Sequence, residues 1–377
     1  MSGVPYPNDG AAPLLLHVFP NFDLGGAQVR FCALANHFGP RWRHAVIALD
    51  DNTECASRIG RHVPLSLLPS PTFKGDGILR LWRIRGTLKA LNPALLVTSS
   101  WGSIEWAAVA RSIPGLRHLH TEDGFGPDEA MGQKQRRVIA RRLVLSRSTV
   151  ALPSRTLHAA ARDLWRIPAR RLHYIPNGLD LARFTPAGER AALDIPGAGP
   201  IIGTVARLRA EKRIDRLLRA CGLLAAEGAA FRLAVIGDGG EQGALEALAG
   251  ELGLSGRTRF LGHVPDPAAA YRALDIVALS SDTEQMPFSV IEAMATARPV
   301  ASTDVGDIRA MLPEAQADFL ADRDEASLAA ALRPLLADAD LRARLGAANR
   351  ARAEAEFDQA RMFEAYAALI EGRSPAA

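Results

Sequence analysis

The chain has 377 residues, 48% of them hydrophobic and 23% charged, with a formal net charge of +4 and a pI near 9.2. That length provides for two domains, each with its own core, and the composition is that of an ordinary soluble globular protein. Three scattered cysteines, Cys32, Cys55 and Cys221, make neither a disulfide framework nor a zinc site and point to a reducing interior. Leu14–Phe19 is too short and too weakly flanked for a signal peptide, and no run approaches the roughly 20 apolar residues of a spanning helix. The expected location is therefore cytoplasmic, at most peripheral on the inner face of a membrane. The surplus of arginine fits a phosphate-bearing ligand, an anionic membrane surface or plain solubility.

Strand-like and helical patterns alternate from the start. Leu14–Phe19 leads through a turn containing Gly25-Gly26 into a helix over about Ala27–Phe38, and His44–Leu49 is the next strand. A weaker strand near Leu65–Leu68 precedes a helix over Ile78–Leu91, which ends at Asn92-Pro93 and feeds the strand Leu95–Thr98. Helix Ile104–Arg111, strand Leu116–His120, a basic helix over Met131–Leu145 and strand Thr149–Leu152 complete the series. Two prolines and an Asn-Gly turn in Ile175–Pro186 then break the rhythm.

A second series follows: strand Ile201–Ala206, helix Ile214–Glu227, strand Arg232–Ile236, helix Glu241–Leu252 and strand Thr258–Leu261. After a short helix at Pro267–Arg272 come strand Ala273–Leu279, strand Pro299–Thr303, a helix near Asp307–Leu312 and several helices to the end. The pattern predicts an α/β protein of two doubly wound, Rossmann-like domains facing a cleft. The expected boundaries are 1–178, 179–350 and a C-terminal helix, 351–377, crossing back to the first domain.

Between the last two strands of the second series, Glu284 and Glu292 stand in an E-x7-E spacing on a strand–loop–helix turn. Glu284 falls in the loop and Glu292 in the first turn or two of the helix, where exposed backbone N–H groups favour negative charge. Arg207 sits at one strand's carboxyl end and Lys212 in the loop after it. Open α/β sheets bind ligands at that edge, and two cations there suit a diphosphate. Gly25 and Gly26 let backbone approach a ligand at a helix N-terminus, although an ordinary βα turn has the same look. Gly237 and His263 end two further strands, and His263 reads equally as a turn residue.

His120, with Glu122 and Asp123, places an imidazole and two acids at a strand end. General acid–base work and a histidine tied to a loop carbonyl both fit that placement. In the basic helix, Met131, Val138 and Leu145 share one stripe and Lys134, Arg137 and Arg141 another, which suits either an anionic membrane surface or a solvated face. Asp322-Arg-Asp324 and Asp338-Ala-Asp340 match a metal–diphosphate pattern, but both begin late helices, where aspartate caps N–H groups. No metal site, no bound cofactor and no nucleic-acid partner are expected.

In this order the motifs resemble the family-4 retaining glycosyltransferases of the GT-B fold, over nearly the whole chain. They run from the Gly25-Gly26 turn through Ile175-Pro-Asn-Gly-Leu-Asp, Arg183-Phe-Thr-Pro and Arg207…Lys212. Gly237-Asp-Gly, Phe260-Leu-Gly-His-Val and Glu284-x7-Glu292-Ala-Met-Ala follow. The resemblance implies a nucleoside diphosphate sugar held by the C-terminal domain, a glycan or lipid-linked acceptor held by the N-terminal one, and metal-independent transfer. Arg207 and Lys212 would clamp the diphosphate, and Glu284 would meet the donor sugar. Glu292 would hold the ribose hydroxyls, Phe288-Ser289 amides the phosphate, and His120 would lie near the transferred sugar.

The chain departs from the pattern where Glu284-Gln-Met-Pro-Phe stands for Glu-Gly-Phe-Gly and where Arg213 replaces the glycine after the lysine. A looser match, through Trp101-Gly-Ser-Ile-Glu105 and His120-Thr-Glu-Asp-Gly124, is to members acting in envelope and exopolysaccharide assembly. A same-fold epimerase or hydrolase and a non-catalytic nucleotide-sugar-binding subunit remain alternatives.

Overall fold

A computed structural model describes residues 12–73, 75–125, 129, 132–264 and 266–375. The chain forms two compact units, Met1–Ile175 with Phe363–Ala377, and Pro176–Met362.

The first unit holds β1 (Leu14–Phe19), β2 (Arg43–Ala48), β3 (Leu65–Leu68), β4 (Leu95–Ser99), β5 (Arg117–Thr121), β6 (Thr149–Leu152) and β7 (Leu172–Tyr174). They pair in the order β3-β2-β1-β4-β5-β6-β7, every pair parallel. All six residues of β1 are buried, as a strand covered by helices on both faces requires. Cys32 and Cys55, distant in sequence, meet in the core with sulfurs 3.6 Å apart, because the helix Gly26–Phe38 packs on the short turn at Glu54–Arg58.

The second unit holds β8 (Ile201–Val205), β9 (Arg232–Ile236), β10 (Thr258–Gly262), β11 (Ile276–Leu279), β12 (Val300–Thr303) and β13 (Leu320–Ala321), ordered β10-β9-β8-β11-β12-β13 and again all parallel. Alternation along its central strands feeds two cores. Ile201, Val277 and Leu279 pack with Val290, Ile291 and Met294, whereas Ile202, Ile276 and Ala278 pack with Leu217, Leu218 and Leu224. The helix Phe288–Ala295 is thereby pinned to one face, with its N-terminus at the carboxyl edge of the sheet.

In each sheet the strand order reverses once, between β1 and β4 and between β8 and β11. Loops leaving neighbouring strands there diverge to opposite faces and open a crevice at the carboxyl edge. The pattern of the sequence lacks the helix Arg155–Asp163 and strands β7 and β13. The helix carries its start signal in Ser154, whose hydroxyl accepts from Leu157 N at 3.0 Å.

Candidate active site

In the second unit, Lys212 and Glu284 come from opposite sides of the strand reversal. Lys212 follows β8 and Glu284 follows β11, yet Lys212 Nζ donates to Glu284 Oε1 at 2.6 Å, and the Ser281 hydroxyl donates to the same oxygen at 2.7 Å. The two loops are joined at several other points. Asp282 N donates to Glu211 O at 2.9 Å and Ser280 Oγ to Lys212 O at 3.0 Å.

Arg213 adopts a left-handed conformation, φ 47° and ψ 45°, which explains why glycine would be at home there. Its guanidinium grips Asp215 at 2.9 and 3.0 Å and reaches Asp282 at 3.3 Å. Arg216 bonds Asp282 at 2.7 Å and the Ser280 carbonyl at 2.6 Å. Burial opposes ionisation of Asp282, but Arg216 and Arg213 outweigh it and hold the carboxyl below its usual range. Ser281, Asp282 and Arg216 therefore fix the glutamate loop, a role that no sequence spacing announces.

Arg207 lies nearby in sequence but is more open. It pairs with Asp238 at 2.8 Å, and the two side chains are 38% and 51% exposed. Gly237 serves the loop that carries this partner. At φ +126°, a Cβ there would lie 1.9 Å from the Ala206 carbonyl oxygen, so only glycine lets the two loops touch. His263 is exposed after the edge strand β10 and has no hydrogen-bond partner among the described residues.

Pro287 occupies the N-cap position of the helix Phe288–Ala295, with φ −69° and ψ 129°, and no side chain caps the helix. The N–H lost to proline thus belongs to the cap, and the amides of Phe288 and Ser289 remain at the helix start. The preceding loop is anchored by Asn177 Nδ2, which donates to Met286 O at 2.9 Å, and by Asp307 N, which donates to Gln285 O at 2.9 Å. Glu292 lies one turn further in, beside Tyr271 and Arg183. Burial pushes its carboxyl up to about 7 against the opposing pull of those two neighbours.

In the first unit, Gly25 caps the helix Gly26–Phe38 without a side-chain acceptor, leaving a bare N-terminus at the end of β1. Beside it a cavity of about 390 Å³ is lined by Gln28, Ser100, Trp101, Glu122, Phe125 and Arg137, among others. His120 lies beneath this surface and is fully buried. Its Nδ1 meets Thr98 Oγ1 at 2.8 Å and its Nε2 lies 3.8 Å from Glu122 Oε2. Asp123 is held by Arg30, 2.7 Å between Nη2 and Oδ2. Of the three groups expected at this strand end, Glu122 is the one that lines the cavity.

The basic helix is turned the other way from its expected orientation. It spans Gln135–Leu145, and the stripe residue Met131 lies outside the described residues. Arg141 is fully buried. Its guanidinium sits 5.0 Å from the ring centres of Trp101 and Trp165 and reaches Glu122 and Glu129 at 3.4 and 3.3 Å. Arg137 pairs with Glu129 at 2.9 Å, whereas Ile139 and Leu143 are exposed. A fully buried arginine contacts no membrane, so Arg141 is no part of a docking surface, and Lys134 and Arg137 are only partly exposed. Asp324 and Asp338 cap helices, each accepting a backbone N–H at 2.8 Å.

Comparison with known proteins bears on the family and the fold. Residues 24–183 match the family model "Glycosyltransferase Family 4" and residues 188–352 the model "Glycosyl transferases group 1". The D-inositol 3-phosphate glycosyltransferase of Thermobispora bispora is 30% identical over 72% of this chain and 69% of its own length. That of Corynebacterium urealyticum is 29% identical over 66% of this chain, which spans 61% of the relative's length. The crystal structure of Anabaena HepE in complex with UDP and glucose has the same fold, with a TM-score of 0.79 at 19% identity over 96% of this chain and 100% of that one. The motif order, the two doubly wound sheets and these matches together place the chain in the family-4, group 1 glycosyltransferases of the GT-B fold.

Proposed function

We propose that the protein is a retaining glycosyltransferase that moves a sugar from a nucleoside diphosphate sugar to a glycan or lipid-linked acceptor, without a catalytic metal, in envelope or exopolysaccharide synthesis. The observation that carries this reading is the Lys212–Glu284–Ser281 cluster at the strand reversal of the second sheet, next to an uncapped helix N-terminus. An ammonium and helix-end amides suit a leaving diphosphate, whose charge grows as the glycosidic bond breaks. Arg207, in a weak exposed pair, is free to turn to the same phosphates. Glu284 and Glu292 then hold the sugar and the ribose. The acceptor belongs to the Trp101–Glu122 cavity of the first unit, with His120 positioning Glu122 from below.

Related proteins support the same reading: HepE has been solved with UDP and glucose, and the bacterial relatives are D-inositol 3-phosphate glycosyltransferases. Thermal unfolding in the presence of uridine, guanosine and adenosine diphosphate sugars tests the donor. One base is expected to raise the melting temperature in the parent and less in Arg207→Ala, because a ligand that binds only the native state stabilises it. If no nucleotide sugar raises it and no transfer occurs to a broad acceptor panel, the reading fails.

Peripheral membrane association, in this reading, uses the start of the helix Leu79–Leu91 together with Phe73 and Ile78 just before it. Phe73, Ile78, Leu79 and Trp82 are each more than half exposed. The stretch 67–91 carries five lysines and arginines against one acid. Exposed apolar side chains among cations match an anionic bilayer surface. Flotation with anionic vesicles is expected for the parent and not for Ile78→Ser/Trp82→Ser, and equal flotation of both refutes the assignment.

A further inference from the structure

The amino ends of β4, β5, β6 and β7 form the edge of the first sheet opposite the Gly25 turn and Trp101. A cavity of about 560 Å³ lies there, closed on one side by C-terminal residues Leu369–Ser374. Its lining includes Arg111, Arg117, Arg147, Arg170, Arg171 and Arg373 and, among the described residues, no aspartate or glutamate. The volume is that of an ordinary small-molecule site, about 300–1,000 Å³.

The charge of these arginines is largely uncancelled. Arg117 donates to the carbonyls of Ile370 and Leu369, at 2.8 Å each, and Arg171 to the carbonyl of Arg147 at 2.7 Å. Arg111 holds the carbonyls of Leu143 and Val144 at the end of the helix Gln135–Leu145. Neutral acceptors aim a guanidinium without removing its charge. Among the lining arginines, only Arg373 bonds a carboxylate among the described residues, Glu371, at 2.6 Å, and Arg41 shares that carboxylate. Burial lowers the basicity of His118 and His173, so the positive charge comes from arginine and does not depend on pH in the neutral range. Six guanidiniums around one cavity with no lining carboxylate among the described residues make an anion site, and fork-shaped donors match phosphoryl oxygens.

We propose that this cavity binds an anion bearing at least two phosphoryl groups, at a site separate from sugar transfer. The ligand is either a soluble polyphosphorylated metabolite or the headgroup of an anionic lipid, and both offer the same oxygens. Because residues 369–374 form one wall, occupancy fastens the C-terminal end of the chain onto the first sheet.

Pyrophosphate and, separately, vesicles of cardiolipin, whose headgroup carries two phosphates, and phosphatidylcholine in equal parts are the probes. The comparison is the parent against Arg147→Ser/Arg170→Ser, two exposed positions whose loss leaves the core untouched. Calorimetry is expected to show a pyrophosphate-binding event in the parent that weakens at least tenfold in the variant. Hydrogen exchange is expected to show protection of residues 369–375 by pyrophosphate in the parent alone. Sugar transfer at saturating donor stays unchanged in the variant. Vesicle binding that depends on Arg147 and Arg170, without an effect of pyrophosphate, assigns the lipid as source. Unchanged pyrophosphate and vesicle binding in the variant, or no binding of either probe by the parent, overturns the proposal.

Discussion

Replacing Lys212 by alanine is expected to lower kcat/KM for sugar transfer by about 10²–10³-fold, the usual cost of removing one preorganised donor at a site of developing negative charge. The loss has two parts. The leaving diphosphate loses a cation, and Glu284, only 10% exposed, loses the ammonium at 2.6 Å and keeps only the Ser281 hydroxyl. An unpaired carboxylate in that position repels the donor's phosphates and lowers the melting temperature of the second unit.

The two parts separate in a double variant. Lys212→Ala/Glu284→Gln removes the stranded charge, so its melting temperature recovers towards that of the parent while transfer stays lost. Arg207→Ala, by contrast, breaks an exposed and solvent-screened pair and leaves the melting temperature unchanged, so any loss of donor binding reads directly as lost contact. Steady-state transfer assays with melting curves on the four proteins measure all of this. Full activity in Lys212→Ala, or no recovery in the double variant, sinks the assignment.

The strands most plainly legible in the sequence are those buried on both faces, although the more exposed β3 and β10 are also read from it at nearly their observed bounds. β1, β4, β8, β9 and β11 are short runs dominated by leucine, isoleucine, valine and alanine between turns, and burial on both sides leaves no regular polar alternation to confuse them. β7 and β13 escape because three and two residues make no period. At the site, spacing alone put Glu284 in a loop and Glu292 on a helix, because a strand–loop–helix turn leaves little freedom. The bond between Lys212 and Glu284 spans 72 residues, and no local pattern encodes it.

Arg141 shows the limit most clearly. Helical periodicity correctly groups Arg137 and Arg141 on one face, but periodicity does not say which face is inward. Trp101, Glu122, Phe125, Glu129 and Trp165 come from separate segments, and only their convergence surrounds the buried guanidinium with carboxylates and aromatic faces that offset its lost hydration. Ile139 and Leu143, apolar and exposed, are the counterpart of that inversion.

Glu292 carries the second large effect. Burial lifts its carboxyl from 4.5 to about 7, so the folded chain holds a proton there that the unfolded chain releases near 4.5. Between those values the folded state binds more protons, and stability falls as pH rises from 4.5 through 7. Glu292→Gln cannot ionise. It is therefore expected to match the parent at pH 4.5 and to exceed it at pH 8, by at most about 3 kcal/mol, reduced because the side chain keeps some contact with solvent. For a unit of this size that corresponds to a rise of several degrees in melting temperature.

Donor binding has the opposite sense. Ribose hydroxyls donate to the ionised carboxylate, so donor affinity in the parent should strengthen from pH 6 to pH 8 and binding at pH 6 should release a proton. The glutamine variant should bind more weakly and without that pH dependence. Melting curves and calorimetry in buffers of different ionisation enthalpy measure both. A glutamine variant less stable than the parent at pH 8 would mean that the carboxylate is a structural anchor and not a strained ligand group.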